Sequence, residues 1–247
     1  TADIHMGDRD TVYEAVAGKA SEDTPSLALP LTIHHRGFVN AEAVLDWTYA
    51  NYSAPERIFV TGSSAGSIPS PYYAWQVAEH YTDAAVAQLG DAAGGYRRSA
   101  ETSTLRMDRW GTLDYLAAKH EPFEGLAESD FTYELLYIEA ARARPDILFA
   151  AYDAAEDAVQ KRFLALGGSE TSTLLELLLL NQADIRREVD NFRSYIGPGD
   201  SHTILARPEF YNTSVDGVRF RDWVATLAAM EPVRDVRCDP CAATEHE

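Results

Sequence analysis

The chain has 247 residues, 46% of them hydrophobic, which is long enough to bury one substantial core. Acidic side chains outnumber basic ones 39 to 21, for a net charge of -18, and the only lysines are Lys19, Lys119 and Lys161. A field of that sign repels nucleic acid and anionic lipid and disfavours a strongly anionic polymer as substrate. No run reaches the roughly 18 apolar residues needed to span a bilayer, since the longest candidate, Leu174 to Leu180, is interrupted by Glu176.

Residues 1 to 28 are rich in Asp, Gly, Ser and Thr without a sustained period, which predicts an irregular segment crossing the surface. Asn40 is a candidate N-cap for a helix over about 41 to 51, whose apolar positions include Ala43, Val44, Trp47 and Tyr49, with Pro55 stopping it. The run 57 to 61 is short, β-branched and aromatic, as in a buried parallel strand. It leads into Gly62-Ser63-Ser64-Ala65-Gly66, a helix from about Tyr72 to Tyr81, and a strand over Ala84 to Leu89 that ends in the glycine-rich 90 to 95. That succession is the rhythm of a parallel sheet. A second unit follows: a helix near 131 to 143, a break at Pro145, a strand from Ile147 to Tyr152, and a helix from about Glu156 to Ala165. Residues 170 to 195 read as one long helix with a core-packing leucine stripe at Leu174, Leu175, Leu178 and Leu179, stopped at Gly197-Pro198-Gly199. A strand at Thr203 to Leu205 and a helix near 217 to 229 complete the chain, with no internal repeat. The expected fold class is α/β, of α/β-hydrolase type: one domain over 1 to 247 with a mostly parallel central sheet flanked by helices.

Gly-x-Ser-x-Gly alone occurs by chance in roughly one chain in ten of this length. Its place between a buried strand and a helix is the setting of a nucleophile elbow, in which small residues allow a sharp turn that lifts Ser64 above the sheet. The backbone N–H of Ala65 is then available to an oxyanion. Pro69 and Pro71 are expected to delay or bend the helix that follows. A serine hydroxyl needs a base, and the base an orienting acid. Of the histidines after Ser64, His80 lies on the following helix, His120 in a charged connection and His246 in the tail. His202 follows the Gly-Pro-Gly-Asp loop, from which it can be presented over the sheet. Asp153, Glu156 and Asp157 follow the strand at Ile147 to Tyr152 as acids, and position just past the strand end favours Asp153. Asp91 either lines the pocket near Ser64 or braces a loop. Cys238 and Cys241 form a lone Cys-x-x-Cys, too few ligands for zinc, and point instead to a structural disulfide, within the chain or to a partner. Asp3, His5, Asp8, His34 and His35 lack a metal-binding pattern, so no metal site is expected.

The runs His35-Arg36-Gly37-Phe38-Val39-Asn40, Val60 to Gly66, the Asp91 segment, Asp157-Ala158-Val159-Gln160 and Ser201-His202-Thr203-Ile204-Leu205 resemble the pectin acetylesterase and Notum-type deacylase family. The resemblance extends from the first residues to Cys238. It implies a triad of Ser64, Asp157 and His202, ranking Asp157 ahead of Asp153, and hydrolysis of an ester through an acyl-enzyme without a cofactor. It further implies removal of an acyl group from an oxygen, either acetate from a polysaccharide or a lipid from a protein; the expected substrate is a small-molecule or polysaccharide ester, and the expected location is secreted or cell-envelope. Two departures stand out. The family commonly has cysteine before the nucleophile and Gly-Gly after the alanine, where this chain has Ser63 and a single Gly66. The family's Gly-Gly-Gly-Trp oxyanion segment, with the first strands, is expected upstream of the stretch resembled by Thr1 to Asp8. A non-catalytic carbohydrate-binding or scaffold protein on the same fold is the rival reading, and an amidase or peptidase with the same triad is a third.

Overall fold

The computed structural model describes residues 3–14, 30–96, 107–126, 132–166 and 173–241. Its centre is a five-stranded sheet built from β3 (Arg57–Ser63), β4 (Ala85–Asp91), β5 (Leu148–Ala154), β6 (Phe192–Gly197) and β9 (Val236–Arg237), adjacent in that order and all parallel. Parallel sheets need cover on both faces, and the side-chain alternation of the strands supplies two cores. Phe149 and Ala151 of β5, with Phe192 of β6, pack with Tyr72, Trp75 and Ala78 of α2 (Ser70–His80) and Leu136, Tyr137 and Ala140 of α5 (Tyr133–Ala143). The intervening Ala150 and Tyr152, with Tyr195, pack with Leu164 of α6 (Ala158–Leu166), Leu174 and Leu178 of α7 (Leu174–Glu188), and Phe220 and Trp223 of α9 (Phe220–Ala228). The leucine stripe is therefore core, as its spacing predicted.

The segment before β3 departs from expectation. Ile4 and Met6 are buried, and Asp10–Tyr13 (β1) pairs antiparallel with Leu31–His34 (β2), so this part of the chain is an ordered ribbon with a buried base. Helix α1 (Gly37–Asn51) starts three residues before its expected cap. Asn40 lies inside it, and the free N–H of Gly37 donates to Asp3 Oδ2 at 2.9 Å. A distant carboxylate thus replaces a local cap, satisfying a donor that every helix start leaves open. A side chain at Gly37 would place its Cβ 2.5 Å from the backbone of His5, which explains glycine at this contact. Of the apolar positions of α1, Val44 and Trp47 face outward.

Between α2 and α5 lie β4, α3 (Met107–Trp110) and α4 (Thr112–Lys119). The helix expected over 170 to 195 stops at Glu188, because Val189 is extended and 192 to 197 instead forms β6 between β5 and β9. Phe192, Tyr195 and Ile196 fit a helical spacing, yet Phe192 and Tyr195 reach opposite cores across the sheet. Residues 203 to 205 form no strand; the last central strand is β9. A short helix α8 (Glu209–Asn212) and the hairpin of β7 (Ser214–Val215) and β8 (Val218–Arg219) precede α9. Cys238 and Cys241 are bonded to each other, so the alternative of a bond to a partner is set aside.

Candidate active site

All five polar groups at this site lie at or just beyond the carboxyl ends of parallel strands, where an open α/β sheet leaves its functional crevice. Ser64 follows β3, Asp91 ends β4, Asp153 is near the end of β5, Asp157 caps α6, and His202 sits in the loop after β6.

Ser64 has φ of 55°, a left-handed conformation uncommon outside glycine, so the turn holds its side chain in a strained position. The two glycines of the pentapeptide differ in role. A Cβ on Gly62 would come within 2.0 Å of the Gly66 carbonyl oxygen, so the strand can double back only with glycine there. A Cβ on Gly66 would meet nothing within 4 Å. Ala65, whose N–H was expected to face an oxyanion, is the middle residue of the turn Ser64–Gly66 and is partly buried. Pro69 and Pro71 flank Ser70, the first residue of α2, and fit there because the first turn of a helix has no use for their missing N–H.

The structure brings Ser64, His202 and Asp157 into one hydrogen-bonded line. His202 Nε2 lies 2.7 Å from Ser64 Oγ, and His202 Nδ1 lies 2.7 Å from Asp157 Oδ2. A carboxylate can only accept, which puts the ring proton on Nδ1 and leaves Nε2 to accept from the serine hydroxyl. Asp157 is fully buried, and His202 and Ser64 are partly exposed. Asp157 is also the N-cap of α6: its Oδ1 accepts from the N–H groups of Val159 and Gln160 at 2.9 and 3.0 Å. Asp153, the other acid left open by the sequence, accepts instead from Gly94 and Gln160, and the His202 ring nitrogens bond to Asp157 and Ser64. Of the remaining histidines, His120 meets Tyr72 and His80 stacks on Tyr49; His246 lies outside the described residues.

The histidine loop is tied at two points. Glu156 and Ala158 donate their N–H groups to the carbonyls of Gly199 and Asp200, both at 3.0 Å, which joins the loop to the one carrying Asp157. On the other side Thr203 turns through a left-handed φ of 64°, aiming the N–H groups of Ile204 and Leu205 at Asp91, where they bond at 3.0 and 3.1 Å. Ser63 Oγ donates to the same carboxylate at 2.8 Å. Asp91 is wholly buried and does not line the groove, which corrects the substrate-binding expectation in favour of bracing: it links the residue before Ser64 to the residues after His202. Burial pushes its carboxyl above the ordinary range, against the pull of the Leu205 N–H and the Ser63 hydroxyl.

Ser64 opens onto a groove of about 1010 Å³ whose lining includes the apolar Ile33, Val44, Leu45 and Val60, the aromatic Tyr73, and the polar His5, His34 and Arg36. Arg36 is already paired with Asp10 at 2.6 Å.

Behind Asp157 is a set of buried groups with no role assigned from sequence. Asp153 is enclosed, and its Oδ1 accepts from the Gly94 N–H at 2.8 Å and from Gln160 Nε2 at 2.9 Å. Burial holds its carboxyl up to about 7, with the neighbouring Asp157 and Asp91 charges acting in the same direction. Asn181 Nδ2 donates to the Gly94 carbonyl at 2.8 Å. The Asp-x-x-Gln spacing and the Gly94-Gly95 pair were the visible signals, but neither says what the side chains meet.

No protein-family model matches the chain, and no curated protein matches it in sequence. Among solved structures it is similar to the Wnt deacylase Notum from Drosophila, with a TM-score of 0.55 at 15% identity, over 98% of this chain and 72% of the other. At that identity the likeness establishes the fold, which is α/β-hydrolase-like.

Proposed function

We propose that the chain is a serine carboxylic-ester hydrolase that removes an acyl group from an oxygen. The observation that carries this reading is the unbroken line from Ser64 through His202 to the buried Asp157, at the mouth of a groove. His202 Nε2 takes the hydroxyl proton as Ser64 Oγ bonds to the ester carbonyl carbon, and the carbonyl oxygen becomes an oxyanion to which the Ala65 N–H donates. The intermediate collapses, the C–O bond to the alcohol breaks, and His202 returns the proton to the departing oxygen. Water then gives its proton to His202 and attacks the acyl-serine, releasing the carboxylic acid and restoring Ser64. Asp157 accepts from Nδ1–H throughout and so holds the imidazole in one orientation.

The walls of the groove suit an uncharged acyl group set beside a polar alcohol, so a small-molecule or polysaccharide ester is the substrate class. The acidic surface disfavours a polyuronate such as pectin. The Cys238–Cys241 disulfide supports a secreted or cell-envelope location, since such bonds persist in oxidising compartments.

The test is labelling by a fluorophosphonate together with hydrolysis of p-nitrophenyl acetate. The wild-type protein is expected to do both, and Ser64→Ala neither, with turnover reduced by about a thousandfold or more. Turnover retained in Ser64→Ala would refute the assignment, and a wild-type protein that neither labels nor hydrolyses would favour a binding or scaffold role.

A further inference from the structure

Asp157 is held by more than the backbone of its own helix. Its Oδ1 is saturated by two backbone N–H groups of α6, while its Oδ2, the oxygen facing His202, also accepts from Gln160 Nε2 at 3.0 Å. The same amide nitrogen donates to Asp153 Oδ1 at 2.9 Å, and the amide oxygen accepts from the Gly95 N–H at 2.9 Å. Every polar atom of the Gln160 side chain is thus used, and Gln160, Asp153 and Asp157 are all fully buried. The spacing is that of a capping box, in which the third helical residue reaches back to the cap. Here the glutamine reaches the cap's carboxylate rather than its backbone.

We propose that Gln160 and Asp153 are positioning residues for the hydrolytic centre: the Gln160 amide bridges the two carboxyl groups, one N–H to each, and fixes the Asp157 oxygen that orients His202. The proposal rests on the hydrolase reading above and deepens it. The bridge has a direction. An amide NH₂ can donate to two acceptors at once, whereas a glutamate in its place would set a third carboxyl against two others. Asp153 serves as the anchor at the far end, itself fixed by Gly94, whose absent side chain matters because a Cβ there would lie 2.3 Å from Asp153 Oδ2. Asp153 Oδ2 has no protein partner among the described residues, so the anchor works through Oδ1 alone and a neutral acceptor of the same shape can replace it. Without the bridge, Asp157 Oδ2 keeps only His202, and the imidazole loses the fixed reference that holds Nε2 within 2.7 Å of Ser64.

The test compares Gln160→Met, Asp153→Asn and Asp153→Leu in the full chain. Hydrolysis of p-nitrophenyl acetate is measured, with thermal melting to confirm folding and the downfield proton NMR resonance of His202 Nδ1–H, identified by its loss in His202→Gln, as a readout independent of turnover. Gln160→Met is expected to lower kcat by about 10- to 100-fold, with KM within about twofold, because misorientation of a catalytic group acts on the reacting step. Its Nδ1–H resonance shifts or broadens. Asp153→Leu behaves similarly, while Asp153→Asn, which keeps the acceptor, stays within about threefold of wild type. Folded Gln160→Met with wild-type kcat and an unchanged resonance overturns the proposal, as does Asp153→Asn as damaging as Asp153→Leu. If Gln160→Met does not fold, the two Asp153 variants decide. If the wild-type protein hydrolyses no ester, the hydrolase reading fails by itself and the resonance alone judges the bridge: a shift in Gln160→Met supports it, and none refutes it.

Discussion

Replacing Asp153 by Asn should change how the stability of the protein depends on pH, and by an amount that follows from burial. In the unfolded chain this carboxyl ionises near 3.8, whereas in the fold it holds its proton up to about 7. Between those values the folded state binds a proton that the unfolded state has released. The contribution of Asp153 therefore turns against folding as pH rises from about 4 to about 7, and then levels off. A displacement of about three pH units corresponds to roughly 4 kcal/mol, a large share of the ~5–15 kcal/mol by which most domains are stable. Asparagine cannot ionise, so the variant escapes this loss while keeping an acceptor for Gly94 and Gln160. Urea unfolding of both proteins from pH 4 to pH 8 measures the difference, in which the titration of carboxylates that do not interact with Asp153 cancels. The stability of Asp153→Asn relative to wild type should climb by roughly 4 kcal/mol across that range, in whichever direction the two differ at pH 4. A difference that stays flat to within about 1 kcal/mol would show that Asp153 is ionised in the fold and refute the reasoning.

Asp91→Ala should destabilise the fold by roughly 3 kcal/mol, since it strands the buried N–H of Ile204 and frees the Ser63 hydroxyl, and should slow fluorophosphonate labelling of Ser64; chemical denaturation and labelling kinetics check both. Asp91→Asn, which retains an acceptor, should recover part of each loss. Gly62→Ala drives a methyl group into the Gly66 carbonyl, so labelling of Ser64 should fall by at least about tenfold while Gly66→Ala, with open space at its Cβ, labels like wild type. Leu178→Ala empties a fully buried position of the second core and should cost about 2–5 kcal/mol in urea unfolding with little change in labelling.

The successions β3, α2, β4 and α5, β5, α6 were legible in the chain because two periodicities alternate there and Gly or Pro marks their boundaries, whereas α3 and α4 between them were not foreseen. The turn at Ser64 was legible because its residues are contiguous: Gly62 and Ser64 shape it through local backbone geometry. His202 could be singled out by the loop before it, and Asp157 by its resemblance to a family segment, yet neither spacing nor periodicity separated Asp157 from Asp153. What decided between them was the direction each side chain takes: Asp157 caps α6 and turns one oxygen to His202, while Asp153 turns inward to Gly94 and Gln160.

The same limit explains the misread elements. Phe192, Tyr195 and Ile196 satisfy a helical spacing as well as a strand, and only pairing between β5 and β9 selects the strand. Gly37 starts its helix early because Asp3, 34 residues away, supplies the cap. Asp91 becomes a brace because the left-handed turn at Thr203 brings two N–H groups to it from 113 and 114 residues away. Sequence by itself determined the α/β succession around the sheet and the tight turn at Ser64, since these depend on neighbours along the chain. Only the tertiary structure decided which buried acid meets the histidine and which polar groups support it, because a hydrogen bond depends on distance and direction in space and leaves no fixed spacing in the chain.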